Sequence, residues 1–100
     1  MTETLGYAIL EVCRKSGCRY WVRIGGPNSI TMIAADKGPS QLYADRGTAE
    51  HDAEILRERN VRDVGRSRWR LSCRTEPATY TVIELTPWSD AVGIAQLDAQ

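Results

Sequence analysis

Three short runs with the pattern of β-strands, each closed by a turn containing glycine, precede a single helix-patterned segment, and this order limits the available folds more than any other feature. Tyr7 to Cys13 is aliphatic and aromatic, bounded by Gly6 and by Lys15-Ser16-Gly17. It is largely apolar on both faces, as a central strand would be. Arg19 to Ile24 alternates instead, with Tyr20, Val22 and Ile24 on one face and Arg19, Trp21 and Arg23 on the other. That is the period of a half-buried strand. Gly25-Gly26-Pro27-Asn28 marks a turn, and Ile30 to Ala35 gives a third strand closed by Asp36-Lys37-Gly38-Pro39. Strands this close in sequence pair most simply as an antiparallel meander.

The period then changes. Ser40 to Gly47 is irregular, with Leu42 and Tyr43 expected on the core, and Thr48 is a candidate N-cap. Ala49 to Asn60 places Ala49, Ala53 and Leu56 at helical spacing with Ile55 at the edge. Glu50 and Asp52 are expected in the first turn and Arg57 and Arg59 in the last, which suits the helix dipole, with Asn60 as terminator. Arg66 to Arg74 returns to period two, the arginines on one face and Trp69, Leu71 and Cys73 on the other. Glu76-Pro77-Ala78 turns the chain into a last strand, Tyr80 to Thr86, stopped by Pro87. The expected fold is α+β: an antiparallel sheet of about five strands, ordered β-β-β-α-β-β, with one helix packed on one face. The other face is left to solvent or to a partner. Residues 1–87 form one domain, and 88–100 are a C-terminal tail or short helix. Tyr7-Ala8-Ile9-Leu10-Glu11-Val12 is echoed by Tyr80-Thr81-Val82-Ile83-Glu84-Leu85, as neighbouring strands with the same packing problem would be.

One hundred residues suit one domain. No apolar run reaches bilayer length, and Met1-Thr2-Glu3-Thr4 does not begin a secretory signal, so a cytoplasmic protein with no membrane partner is expected. Three cysteines, Cys13, Cys18 and Cys73, make a poor disulfide framework and read first as small half-buried hydrophobes. Cys13 and Cys18 flank a tight turn, which leaves a cross-strand disulfide open. Catalysis has few candidates. His51 is the one histidine and lies among carboxylates at the start of the helix; no local signature joins it to Cys13 or Cys73 as a nucleophile–base pair. Four residues separate the first two cysteines, at the loose limit of a zinc knuckle, and no phosphate-binding glycine loop is present. The chain therefore reads as a non-enzyme with no cofactor, no metal and no catalytic residue.

The charges carry more information. They sum to zero, but Arg14 to Arg23 holds four basic residues and no acid, and Arg57 to Arg74 holds seven arginines against Glu58 and Asp63. Two surfaces follow. One is basic: Arg19, Trp21 and Arg23 on one strand with Arg66, Arg68 and Arg70 on another, offering guanidinium forks and an exposed indole to nucleic acid. The other is acidic: Glu50, Glu54 and Glu58 at i, i+4 and i+8 of the helix, with Asp52 beside them. Like charges at that spacing cost a helix roughly 0.2–0.5 kcal/mol per pair, so the row does not serve local stability. A row of carboxylates can present itself to a basic groove as phosphates would.

Abundant alanine, arginine and aspartate with no phenylalanine suggest a GC-rich bacterial or phage genome. The layout of short strands around Thr48-Ala49-Glu50-His51-Asp52-Ala53-Glu54-Ile55-Leu56, closed by Tyr80-Thr81-Val82-Ile83-Glu84-Leu85, resembles small phage accessory proteins, of which anti-CRISPR proteins are the best-known group. The resemblance rests on size, layout and patterning and transfers no functional residue. It implies a stoichiometric inhibitor in a bacterial cytoplasm that binds a CRISPR effector subunit and blocks DNA loading or nuclease recruitment. The alternative is a small nucleic-acid-binding accessory protein that uses the arginine face.

Overall fold

The computed structural model describes residues 4–26, 29–39, 41–63 and 77–86. Within them lie four strands, β1 (Gly6–Cys13), β2 (Arg19–Gly26), β3 (Ser29–Ala34) and β4 (Ala78–Leu85), and one helix, α1 (Arg46–Asp63). The sheet order is β3-β2-β1-β4, antiparallel throughout. The first three strands form the expected meander, and the chain returns through α1 to lay β4 along the free side of β1. The expected strand over Arg66 to Arg74 and the tail at 88–100 lie outside the described residues.

β1 is central because its sequence tolerates burial on both sides. Ile9 packs with Val22, Tyr43, Tyr80 and the helix residues Ala49, Ala53 and Leu56 in one core. Ala8 and Leu10 face the opposite way and pack with Trp21, Ala35 and Leu85 in a second. The centre of the face away from the helix is therefore not left to solvent, where alternation leaves it open: Leu10 there is fully buried, while Thr31, Thr79 and Thr81 on the outer strands are exposed. The helix presents its short side chains to the sheet, Ala49, Ala53, Leu56 and Asn60 all being buried at i, i+4, i+7 and i+11. Two alanines at the contact let the helix axis approach closely, and the outer face keeps Glu50, His51, Glu54 and Glu58 exposed.

The echo between the first and last strands becomes a pairing. In the β1–β4 register Tyr7 lies opposite Glu84 and Glu11 opposite Tyr80, so each tyrosine of one strand meets the glutamate of the other. The Tyr80 hydroxyl donates to Glu11 Oε2 at 2.5 Å, and Glu84 accepts from the Thr4 hydroxyl at 2.8 Å. Glu11 is 1% exposed and also lies opposite Tyr20 on β2, so this carboxyl sits between two tyrosines in the sheet.

Two helix boundaries differ from expectation, each for a capping reason. Thr48 is not the N-cap. Asp45 is: its Oδ2 accepts from the Thr48 N–H at 2.9 Å and from the Thr48 hydroxyl at 3.2 Å, while its carbonyl accepts from the Ala49 N–H at 3.2 Å. Aspartate accepts more strongly than threonine, and the helix gains three residues. Its first turn consequently contains no acid, and Glu50 and Asp52 lie beyond it. At the other end Asn60 does not terminate the helix, which continues to Asp63. Its carboxamide oxygen instead accepts the Ala78 N–H at 3.0 Å, tying the start of β4 to the helix.

The segment joining β3 to the helix is held by one tyrosine. Tyr43 forms a two-bond bridge with Tyr7, each N–H donating to the other's carbonyl at 2.8 Å. Gly6 makes room for it: a Cβ at that position would lie 2.7 Å from Leu42 Cβ and 2.8 Å from Tyr43 O.

Candidate functional site

Of the two surfaces, the acidic one is built as the spacing implies. Glu50, Glu54 and Glu58 are all exposed on the outer face of α1. Successive members are about 6 Å apart along the axis, from the helical rise over four residues. Glu54 Oε2 accepts from Arg57 Nη1 at 3.1 Å; both side chains are largely exposed, so this pair contributes little to stability. Arg57 is divided between two tasks, because its Nη2 also donates to the Tyr80 carbonyl at 2.6 Å and so ties the helix to β4. Among the described residues Glu50 and Glu58 have no ion-pair partner. One turn on, Val61 is 79% exposed, which ends the acidic row in an apolar contact point.

Asp52 does not belong to this row. It is half-buried on the flank of the helix and accepts from the Tyr43 hydroxyl at 2.7 Å, while the same hydroxyl accepts from the Ile24 N–H at 3.1 Å. Tyr43 thus links β2, the connecting segment and the helix through one oxygen. Burial pushes its phenol up to about 12; the Asp52 carboxylate adds to the rise, and the Ile24 N–H and the nearby Arg23 oppose it. The hydroxyl keeps its proton wherever the protein is folded at ordinary pH.

The basic surface is altered more. Arg19, Trp21 and Arg23 do share a face of β2, as alternation requires, but Trp21 is 3% exposed and its indole N–H points to the Ala35 carbonyl at 3.4 Å. It is core, and no stacking platform for a base. Arg23 Nη1 donates to the Leu42 carbonyl at 2.8 Å, and its guanidinium lies 4.7 Å from the Tyr43 ring centroid, so it clasps the same connecting segment. Arg19 is half-buried beside an open notch of about 260 Å³ at the hairpin end of β2. Arg66, Arg68 and Arg70 lie outside the described residues. Within the described residues the structure thus keeps the acidic row together and uses two of the three strand residues of the basic face inside the fold.

His51 is exposed on the helix and Cys13 is buried at the end of β1. Among the described residues, no three His, Cys, Asp or Glu side chains gather in a way that could hold a metal ion. Nor is any helix among them long and apolar enough to cross a membrane. Sequence reasoning missed Asp45, Gly6 and Asn60 as organising residues. Asp45 had a signal, an aspartate three positions before Thr48, and Asp is a stronger N-cap than Thr.

Comparison of the chain with protein-family models, with curated proteins and with solved structures finds no match.

Proposed function

We propose that this domain is a non-catalytic binding protein that docks the outer face of α1 into a basic groove of a protein partner. The observation that carries the reading is the row Glu50, Glu54 and Glu58, exposed together on a helix whose other side is fixed to the sheet. A rigid support lets a row of charges be matched by a partner without an ordering cost at the moment of binding. Repulsion along the row raises the free energy of the unbound helix, and a row of cations across an interface relieves it.

The resemblance in size, layout and patterning to small phage accessory proteins supports a specific form: inhibition of a CRISPR effector by occupying the cationic channel that receives DNA. Capture of partners by the tagged protein from bacteria expressing such effectors, with and without nuclease, tests it. A stoichiometric protein partner that survives nuclease and is lost with the triple variant Glu50→Lys, Glu54→Lys, Glu58→Lys is expected. Undiminished capture by that folded variant would overturn the acidic-row reading. Loss of every partner on nuclease treatment would move the function to nucleic-acid binding by the basic segments, with Arg14, Lys15 and Arg19 as the first residues to replace.

A further inference from the structure

The hairpin joining β1 to β2 places two thiols opposite each other, one of which, Cys18, lines the notch. The Cys13 N–H donates to the Cys18 carbonyl at 2.9 Å, one position beyond the Val12–Arg19 pair, so the two cysteines face each other across the ladder on the same side of the sheet. The Cys18 N–H donates instead to the Ser16 hydroxyl oxygen at 3.3 Å, so the two cysteines are opposed at the open end of the ladder. Opposed antiparallel neighbours have Cα atoms about 4.5–5.5 Å apart, within the range of disulfide-bonded cysteines. Four residues, Arg14 to Gly17, close the turn; Gly17 adopts φ +74, a left-handed conformation that glycine takes without strain.

Access differs between the two thiols. Cys13 is buried, whereas Cys18 is half-buried and lines the notch of about 260 Å³ together with Arg19, Tyr20, Ala34 and Asp36. The notch exists because the chain leaves the sheet after the Tyr20–Ala34 pair, turning through a single 3-10 turn at Ala35–Lys37, so that the outer edge of β2 loses its neighbour. Arg19 Nε is buried there with no acceptor among the described residues. Arg14 and Lys15 are exposed at the adjacent tip. Asp36, also exposed, is the one acid among the described residues that line the notch. A reachable thiol, an opposed second thiol and a net positive surround form the arrangement that captures an anionic disulfide.

We propose that Cys18 is a site of thiolation by anionic low-molecular-weight disulfides of the glutathione type, and that Cys13 resolves the adduct into a Cys13–Cys18 disulfide. In the first step the Cys18 thiolate attacks one sulfur of the oxidant, the oxidant's S–S bond breaks, and one glutathione leaves as a thiolate that takes up a proton. In the second the Cys13 thiolate attacks Cys18 Sγ and expels the other glutathione. Two protein thiols lose two electrons and two protons, and one disulfide becomes two thiols, so the exchange balances. The product staples β1 to β2 next to the Val12–Arg19 pair. It leaves the helix row untouched, so this proposal stands independently of the partner proposed above.

Intact-mass measurement and non-reducing peptide mapping of the native protein in oxidised glutathione test it. The expected course is a transient glutathione adduct on Cys18, followed by loss of two hydrogens from the protein and a linked Cys13–Cys18 peptide pair, with the third thiol, Cys73, as internal reference. Cys13→Ser should trap the adduct on Cys18. Cys18→Ser should leave Cys13 unmodified as long as the protein is folded. Arg14→Ala and Lys15→Ala should each slow reaction with oxidised glutathione by about threefold, as for unit charges about 7 Å apart in water. The same variants should not slow reaction with neutral hydroxyethyl disulfide. A stable adduct on wild-type Cys18 that never resolves, a linkage through Cys73, or Cys13–Cys18 pairing only in denaturant would each overturn the proposal.

Discussion

Replacing Tyr43 by phenylalanine removes one oxygen and keeps everything else the ring does, including its place over the core and its contact with Arg23. Two bonds go with that oxygen. The Ile24 N–H loses its acceptor, and a partly buried donor left without one costs roughly 1–3 kcal/mol. Asp52 loses its donor as well, but as a half-buried carboxylate it recovers most of that bond from water, so its share is the smaller. The sum is about 2 kcal/mol. In a domain of this size that corresponds to a fall in Tm of roughly 8–16 °C. Asp52→Ala removes only the second bond and should cost about 1 kcal/mol, leaving the Ile24 N–H satisfied. Urea unfolding of wild type, both single variants and the double variant measures the pair as a cycle, and the coupling should be about 1 kcal/mol, since Tyr43→Phe already includes the Asp52 bond. Tyrosinate absorbance, read as the difference from Tyr43→Phe, gives a second readout: without Asp52 the Tyr43 phenol should titrate below about 12, yet stay above the ordinary tyrosine value because burial remains. A Tyr43→Phe protein as stable as wild type, or additive single effects, would refute the claim that this hydroxyl links strand to helix.

Three further outcomes follow from the same structure. Gly6→Ala should cost about 1–3 kcal/mol and raise amide exchange at Tyr7 and Tyr43, because a Cβ at Gly6 meets Leu42 Cβ and a backbone oxygen, neither of which is the end of a flexible side chain. Asp45→Ala should lower stability by about 1 kcal/mol while Thr48→Ala does much less; equal effects in thermal unfolding would return the N-cap to Thr48. Stability should also depend on alkaline pH through Tyr43. With its phenol at about 12 folded and near 10 unfolded, the stabilisation is complete below pH 10 and is lost as pH rises from 10 through 12, a loss that Tyr43→Phe should blunt in pH-dependent urea midpoints.

The strands and the helix were legible because their periods reflect which side chains share a face, and that depends only on backbone geometry. Alternation in Arg19 to Ile24 correctly separated Trp21 from Val22, yet it could not say that both faces are covered. The clue lay one strand earlier: a β1 with Ala8 and Leu10 as well as Ile9 needs cover on both sides. Trp21 looked exposed because its neighbours are arginines. Its cover comes from residues far along the chain, Ala35 and Leu85 among them, which no pattern within the strand reports. Asp52 was misassigned for a related reason. Spacing puts it beside the glutamates, and only the position of Tyr43, nine residues away, turns it inward. The row Glu50, Glu54 and Glu58 was legible in full because exposure on the far side of an amphipathic helix needs no tertiary information.

The placement of β4 beside β1 also has a consequence for the chain as it is made. The most apolar strand is synthesised early, and its neighbour on one side begins about 65 residues after it ends. At translation rates of roughly 5–20 residues per second, β1 waits about 3–13 s with one row of backbone donors and acceptors unpaired. During that interval the hairpin to β2 guards only its other edge. Glu11 lies on that waiting strand, and a polar side chain at its middle, with no Tyr80 hydroxyl yet to bond, discourages a second nascent β1 from pairing in its place.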